Sequence, residues 1–294
     1  MELFQYPYMQ RALIGALVIG LAAPALGIYL VQRRLALIGD GVGHVALTGV
    51  GAGLLLNRSP VLVAVIVASL SAVAIEMVRA RGRTSGDLAL ALLFYGGIAG
   101  GVMLVGLSGS TSADLNAYLF GSLITISPGD LTTITVLGAA ILVTMLALRP
   151  ALFAVCHDEE YARVSGLPVR ALNLLIAVAT AVTVTIAMRA VGVLLISALM
   201  VVPVATAQQV TRGFRSTMGA AMALGLFAAG SGVYVAANAD TAPGASVVLM
   251  AIASFAVVAL GGAGWRVLRR RRLAAGTPVA APETEPHEVV LHRS

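Results

Sequence analysis

The chain contains no lysine at all, and its only cysteine is Cys156. A Walker A loop needs a Gly-Lys-Ser/Thr run, so this polypeptide cannot supply that ATP site itself, and any ATP chemistry must come from a partner. A single cysteine excludes an internal disulfide, and its expected place is that of a small buried or loop residue. Charge is scarce as well: 11% of the 294 residues are charged, against 59% hydrophobic. Several apolar runs exceed the ~20 residues that cross a bilayer, which excludes an ordinary soluble domain. The formal charge of +6 does not point to nucleic acid, because the arginines sit at the ends of apolar runs and leave no basic face over. No run holds a second histidine, an HExxH helix or a nucleophile–base pair, which argues against a membrane enzyme.

What is present is an all-α, polytopic helical membrane pattern. Hydropathy gives nine candidate spans, at about 12–31, 35–56, 60–78, 87–107, 130–148, 171–188, 191–210, 216–236 and 245–265. Eight remain possible, because 171–210 is divided only by Arg189 and a glycine. The run from Arg11 imitates a secretory signal, but it continues to Val31 and stops at Arg33-Arg34, as a retained span does. Residues 112–130, SADLNAYLFGSLITISPGD, are too short and interrupted to cross and read as a short helix on the outer side. A nine-span path with its amino terminus outside puts sixteen of nineteen arginines in cytoplasmic segments, leaving only Arg11, Arg58 and Arg189 elsewhere. Residues 1–272 then form the transmembrane domain, and 273–294, rich in Pro, Ala and Glu, a disordered cytoplasmic tail.

Asp40 and His44 stand out inside LALIGDGVGHVALTGVGAGLLL, residues 35–56. A charge near mid-bilayer costs roughly 2.5–3.5 kcal/mol on insertion scales. Positions i and i+4 share one helix face, so carboxylate and imidazole point the same way, and these two ligand types suit a divalent first-row metal. With the span starting after Arg34, Asp40 lies roughly 8 Å and His44 roughly 14 Å into the bilayer. One chain offers two ligands; a symmetric homodimer with this helix on its axis offers four, enough for tetrahedral zinc, or for manganese with added water. The plainer alternative pairs Asp40 with an arginine and makes His44 a satisfied interior histidine. Protonation of a ligating imidazole, with its ordinary pKa of ~6.5, would weaken cation binding, so uptake is expected to fall in mildly acidic medium.

A second constellation is the polar loop HDEEYARVSGLPV, residues 157–169. It reads as a short amphipathic cytoplasmic helix, started by Asp158, Glu159 and Glu160 and broken by Gly166, of a kind that docks into a groove of a soluble partner. Glu76 stands three residues before Arg79 and reads as half of a structural ion pair. Asp130 opens a helix, where a carboxylate meets the positive dipole end.

Four longer blocks occur in order: RRLALIGDGVGHVALTGVGAG, DLNAYLFGSLITISPGDL, AVGVLLISALMVVPVATA and DTAPGASVVL. In these the chain resembles the integral membrane permease of zinc/manganese-type ABC uptake transporters, from about Pro24 to Leu260. The resemblance implies a homodimer of permeases, two cytoplasmic ATP-binding subunits and an extracytoplasmic metal-binding protein. It implies that Asp40 and His44 hold the transported metal, zinc first and manganese next, and that the chain keeps no cofactor of its own. It also implies that Glu159, Glu160, Ala162 and Gly166 lie in the segment coupling to the ATPase, a match of position and character more than of letters. The competing readings are an ABC permease for a metal chelate, which needs a wider path, and an ion-coupled secondary transporter, which needs no ATPase.

Overall fold

The computed structural model describes residues 6–80, 86–109, 112–122, 126–193 and 195–275, so Arg81, Arg83 and most of the expected tail fall outside it. Twelve helices follow in chain order: α1 Pro7–Gln32, α2 Ile38–Leu55, α3 Pro60–Ala80, α4 Gly86–Leu107, α5 Ser112–Phe120, α6 Pro128–Ala147, α7 Arg149–His157, α8 Glu159–Val164, α9 Val169–Ala187, α10 Ile196–Val210, α11 Phe214–Ala239 and α12 Pro243–Ala275. Eight of them, α1–α4, α6, α9, α11 and α12, are long and apolar enough to cross a membrane.

Helix is the form that satisfies every backbone group internally where no water is available. The faces left outward are apolar. Leu62, Ile66 and Leu70 form one stripe on α3, and Leu92, Tyr95, Val102 and Met103 stand exposed on α4. A soluble protein would place charge there; here those faces match lipid.

Interior packing uses small residues, because in lipid helices associate through close contact rather than hydrophobic burial. The α1–α11 crossing is the clearest case. Pro24 has no N–H to give the carbonyl of Gly20, one turn earlier, and Gly225 packs directly there. A Cβ on Gly225 would lie 2.2 Å from the Gly20 oxygen, so any larger residue forces the helices apart.

Two sets of contacts mark the ends of the bundle. At one, the Arg11 guanidinium donates to the Ile126 carbonyl at 3.1 Å. There the link after α5 pairs with the break after α9: Val193 N–H donates to Tyr118 O at 3.0 Å, and Ser122 N–H to Arg189 O at 3.3 Å. At the other end Arg33 reaches Glu159 at 3.4 Å, and the Phe214 ring lies 5.5 Å from Tyr29 and 4.8 Å from Phe153. α10 runs between these two levels. Its 15 residues span only ~22 Å, short of the ~30 Å hydrocarbon core, and the irregular stretch after Ala187 supplies the rest. The expected span at 191–210 is therefore a broken passage, whose helix starts only at Ile196.

Two local expectations are met. Asp130 and Ser127 form a capping box at the start of α6, each side chain accepting from the other's backbone N–H at 3.1 Å. Glu76 pairs with Arg79 at 3.2 Å. One element differs from expectation: α7 follows α6 almost without interruption, because Pro150 can occupy the first turn of a new helix.

Candidate functional site

Asp40 sits in the first turn of α2, and His44 lies one turn on, along the same face. Gly39 before them and Gly41 and Gly43 between them let Met200, Leu90 and Val193 pack against the backbone of α2. The sequence offered Asp40 an arginine partner as the plainer alternative. Among the described residues no ion pair includes Asp40; its Oδ1 instead accepts a hydrogen bond from Ser197 Oγ, in the first turn of α10.

His44 is 6% exposed, and its ring meets the Phe94 ring of α4 edge-on at 4.2 Å. Among the described residues, its buried Nδ1 has no hydrogen-bond partner. Leaving a polar nitrogen so costs roughly 1–3 kcal/mol, a cost that a bound ligand would remove. The close fit of α4 here rests on Gly97, whose absent Cβ would stand 2.6 Å from the His44 carbonyl carbon. Thr48 Oγ1 donates to the Gly97 carbonyl at 2.8 Å and fixes the register of the two helices. Among the described residues, no three His, Cys, Asp or Glu side chains gather in one place, so a single chain does not complete a metal cage.

Ser197 and Phe94 were invisible in the sequence reading. A serine in an apolar helix is ordinary, and its partner lies 157 residues away. The available signal was the Gly192 break, which shows that α10 starts inside the bundle. Gly192 has φ +90° and presses on the Leu119 and Phe120 backbone, a position closed to other residues.

At the far end, the polar loop forms α8, capped by Asp158, whose side chain accepts from Tyr161 N–H at 2.9 Å. The four coupling candidates divide. Glu159 faces the bundle, pairing with Arg33 at 3.4 Å and with Arg163 at 3.3 Å. Ala162 is fully buried. Gly166 ends the helix at φ +81°. Of the four, Glu160 has an outward side chain, and beside it Tyr161 and Val164 are 67% and 88% exposed. That apolar pair was missed in the sequence.

Arg33 is the pivot of this junction. Its side chain is 8% exposed and donates to Asn173 Oδ1 at 2.7 Å as well as pairing with Glu159. An open groove of about 1190 Å³ beside it is lined by Arg33, Arg34, Arg79, Arg163 and Arg170 against Glu76 and Glu159. Such a recess repels cations and suits acidic groups. Cys156, also on its wall, is half-buried, and burial pushes its thiol up to about 11.

The described residues thus form a multi-pass helical bundle with an acid–imidazole pair within and a short capped helix at one end. The chain matches the ABC 3 transport family over residues 5–261 and belongs to it. It is 31% identical to the manganese transport system membrane protein MntC of Halalkalibacterium halodurans, over 87% of this chain and 88% of that one. It is also 31% identical to the high-affinity zinc uptake system membrane protein ZnuB of Haemophilus influenzae, over 81% and 91%. The chelated iron transport system membrane protein YfeD of Yersinia pestis is 31% identical, over 96% and 94%. Among solved structures, PsaBC from Streptococcus pneumoniae in complex with Fab superposes with a TM-score of 0.77 at 28% identity, covering 87% of this chain and 92% of that one.

Proposed function

We propose that the chain is the permease of an importer for a bare divalent metal ion, zinc first and manganese next, working by alternating access. Two copies form the path, two cytoplasmic ATP-binding subunits drive it, and an extracytoplasmic metal-binding protein feeds it. The observation that carries this reading is the His44 nitrogen, buried and without a partner among the described residues, one helical turn from Asp40. The names of the manganese and zinc relatives support the cargo class. Two chain-derived ligands per copy give a four-ligand clasp across a two-fold axis. In the single chain Phe94 covers the imidazole, so closing the clasp requires His44 and Phe94 to exchange places.

The amino terminus lies outside and the carboxyl terminus in the cytoplasm, as the arginine distribution and the odd number of passages suggest. α8 then faces the ATPase. Tyr161 and Val164, with Glu160, are the groups that enter its groove, while Glu159, Ala162 and Gly166 hold the helix in place.

The chelated iron relative favours a second reading, a chelate as cargo. Against it, the glycine-lined face of α2 is closed by Leu90, Val193 and Met200, within about 3 Å of where Cβ atoms would be. Transport in proteoliposomes holding the permease and its ATPase separates these readings. ATP-dependent uptake of radiolabelled zinc or manganese, undiminished by excess ferric chelate, is expected. Uptake of the chelate would replace the bare-ion reading, and uptake by the chain alone under an ion gradient would replace the ABC reading.

A further inference from the structure

The acid of the candidate site is held from a second helix. Ser197 Oγ donates to Asp40 Oδ1, and it does so from the first turn of α10, a helix that begins inside the bundle. Three features fix that serine. The side chain is 8% exposed, and its neighbours Ile196, Leu199 and Met200 are fully buried. Gly39, next to Asp40, leaves no side chain between the helices: a Cβ there would stand 2.7 Å from the Met200 methyl and 3.4 Å from the Ser197 Cβ. The break that starts α10 is itself pinned by the bond from Val193 N–H to Tyr118 O.

Two forces therefore act on one carboxylate. The hydroxyl restricts its rotation, and the start of α10, with no side-chain cap of its own, places the positive end of a helix dipole nearby. A carboxylate without its cation needs such support in a medium that solvates charge poorly. The second oxygen is left for the cation, so the orientation of Oδ1 decides how well that oxygen meets it.

We infer that Ser197 is a positioning residue for the transported cation, acting through Asp40, so that α10 as well as α2 sets the affinity of the site. The inference rests on the proposed role of Asp40 and His44. A displacement of the break at Gly192 would reach Asp40 through this bond and through the packing of Val193 and Met200 on the glycines of α2.

The test uses the assembled transporter in proteoliposomes, with zinc and manganese as separate radiolabelled probes. For Ser197→Ala, the half-saturating metal concentration is expected to rise roughly tenfold, the loss typical of one hydrogen bond to a charged group, with the maximal rate kept within about twofold. Ser197→Thr, which keeps the hydroxyl, is expected to recover most of the affinity. A purely structural serine would instead lower the melting temperature and the maximal rate and leave the half-saturation unchanged; that result overturns the inference. If Ser197→Ala does not assemble, Ser197→Cys serves: a thiol beside the site shifts preference from manganese towards zinc or cadmium, and an unchanged preference overturns the inference. Asp40→Asn is the control. Uptake lost in Asp40→Asn but unaltered in Ser197→Ala removes the positioning role alone, whereas normal uptake in Asp40→Asn removes the site reading itself.

Discussion

Two of the polar clusters in this apolar bundle are built on opposite plans. Near the start of α2, among the described residues, Asp40 accepts from the neutral hydroxyl of Ser197 and His44 Nδ1 has no hydrogen-bond partner. At the end of the bundle, Asn173, Arg33, Glu159 and Arg163 are joined in a continuous line of contacts. Buried polar groups are ordinarily paired, so the saturated cluster needs only a structural role. On the proposed reading, the unsaturated one receives the transported ion and the saturated one transmits a displacement.

The largest effect is expected from removing the unsaturated cluster. Asp40→Ala and His44→Ala should each lower metal uptake by the assembled transporter at least about 100-fold, more than loss of groups that merely support a metal ligand. Both should melt within a few degrees of the unaltered protein, since neither side chain completes a structural network. A large fall in melting temperature with proportionate uptake would mean that the two clusters do not differ in kind.

The reverse pattern is expected at the saturated cluster. Arg33→Ala removes the donor to Asn173 and one of the two arginines paired with Glu159, and should destabilise by roughly 1–3 kcal/mol, read as a lower melting temperature. Half-saturation for metal should stay unchanged, while ATP hydrolysed per ion moved should rise. Metal affinity weakened by Arg33→Ala would erase the division of labour between the clusters.

A smaller effect tests how α8 is held. Gly166 has φ +81° and open space around it, so Gly166→Ala meets only backbone strain, about 1–2 kcal/mol. Gly96→Ala, also in open space but inside α4, should be neutral or slightly stabilising. Equal losses from both would show that conformation at Gly166 is not what matters.

The smallest expected effect concerns Cys156. Its thiol is pushed up to about 11 by burial, so the reactive thiolate is scarce near neutral pH and grows only as pH climbs towards that value. Iodoacetamide labelling at pH 8 should be much slower than for a free cysteine and should accelerate with alkali. Fast labelling at pH 8 would mean that Cys156 is more exposed to solvent than its half-buried place on the groove wall allows.

Much of this was legible in the chain. Asp40 and His44 announce themselves because charge inside an apolar run is costly, and the break at Gly192 because it divides a hydrophobic stretch too long for one crossing. Asp158 and Asp130 cap the helices expected of them. What stayed hidden depends on contacts far apart in sequence. Ser197 is one polar atom among apolar neighbours, and Phe94 reads as ordinary lipid-facing bulk until α4 folds onto α2. α7 was not expected, because the span at 130–148 was ended before Arg149 and only Pro150 signals that a new helix begins there. Glu159 read as part of a docking surface, yet it turns inward, because Arg33 lies 126 positions earlier in the chain and no local pattern reveals it.

The central claim is that the unsaturated cluster is where the cation rests. A structure of the assembled transporter trapped with zinc or manganese, using anomalous scattering to locate the ion, tests it most directly. The account predicts the ion bound by Asp40 oxygen and His44 nitrogen of both copies, at about 2.0–2.2 Å for zinc, with Phe94 moved from its place over the imidazole. An ion bound elsewhere, with His44 still packed against Phe94, would contradict it.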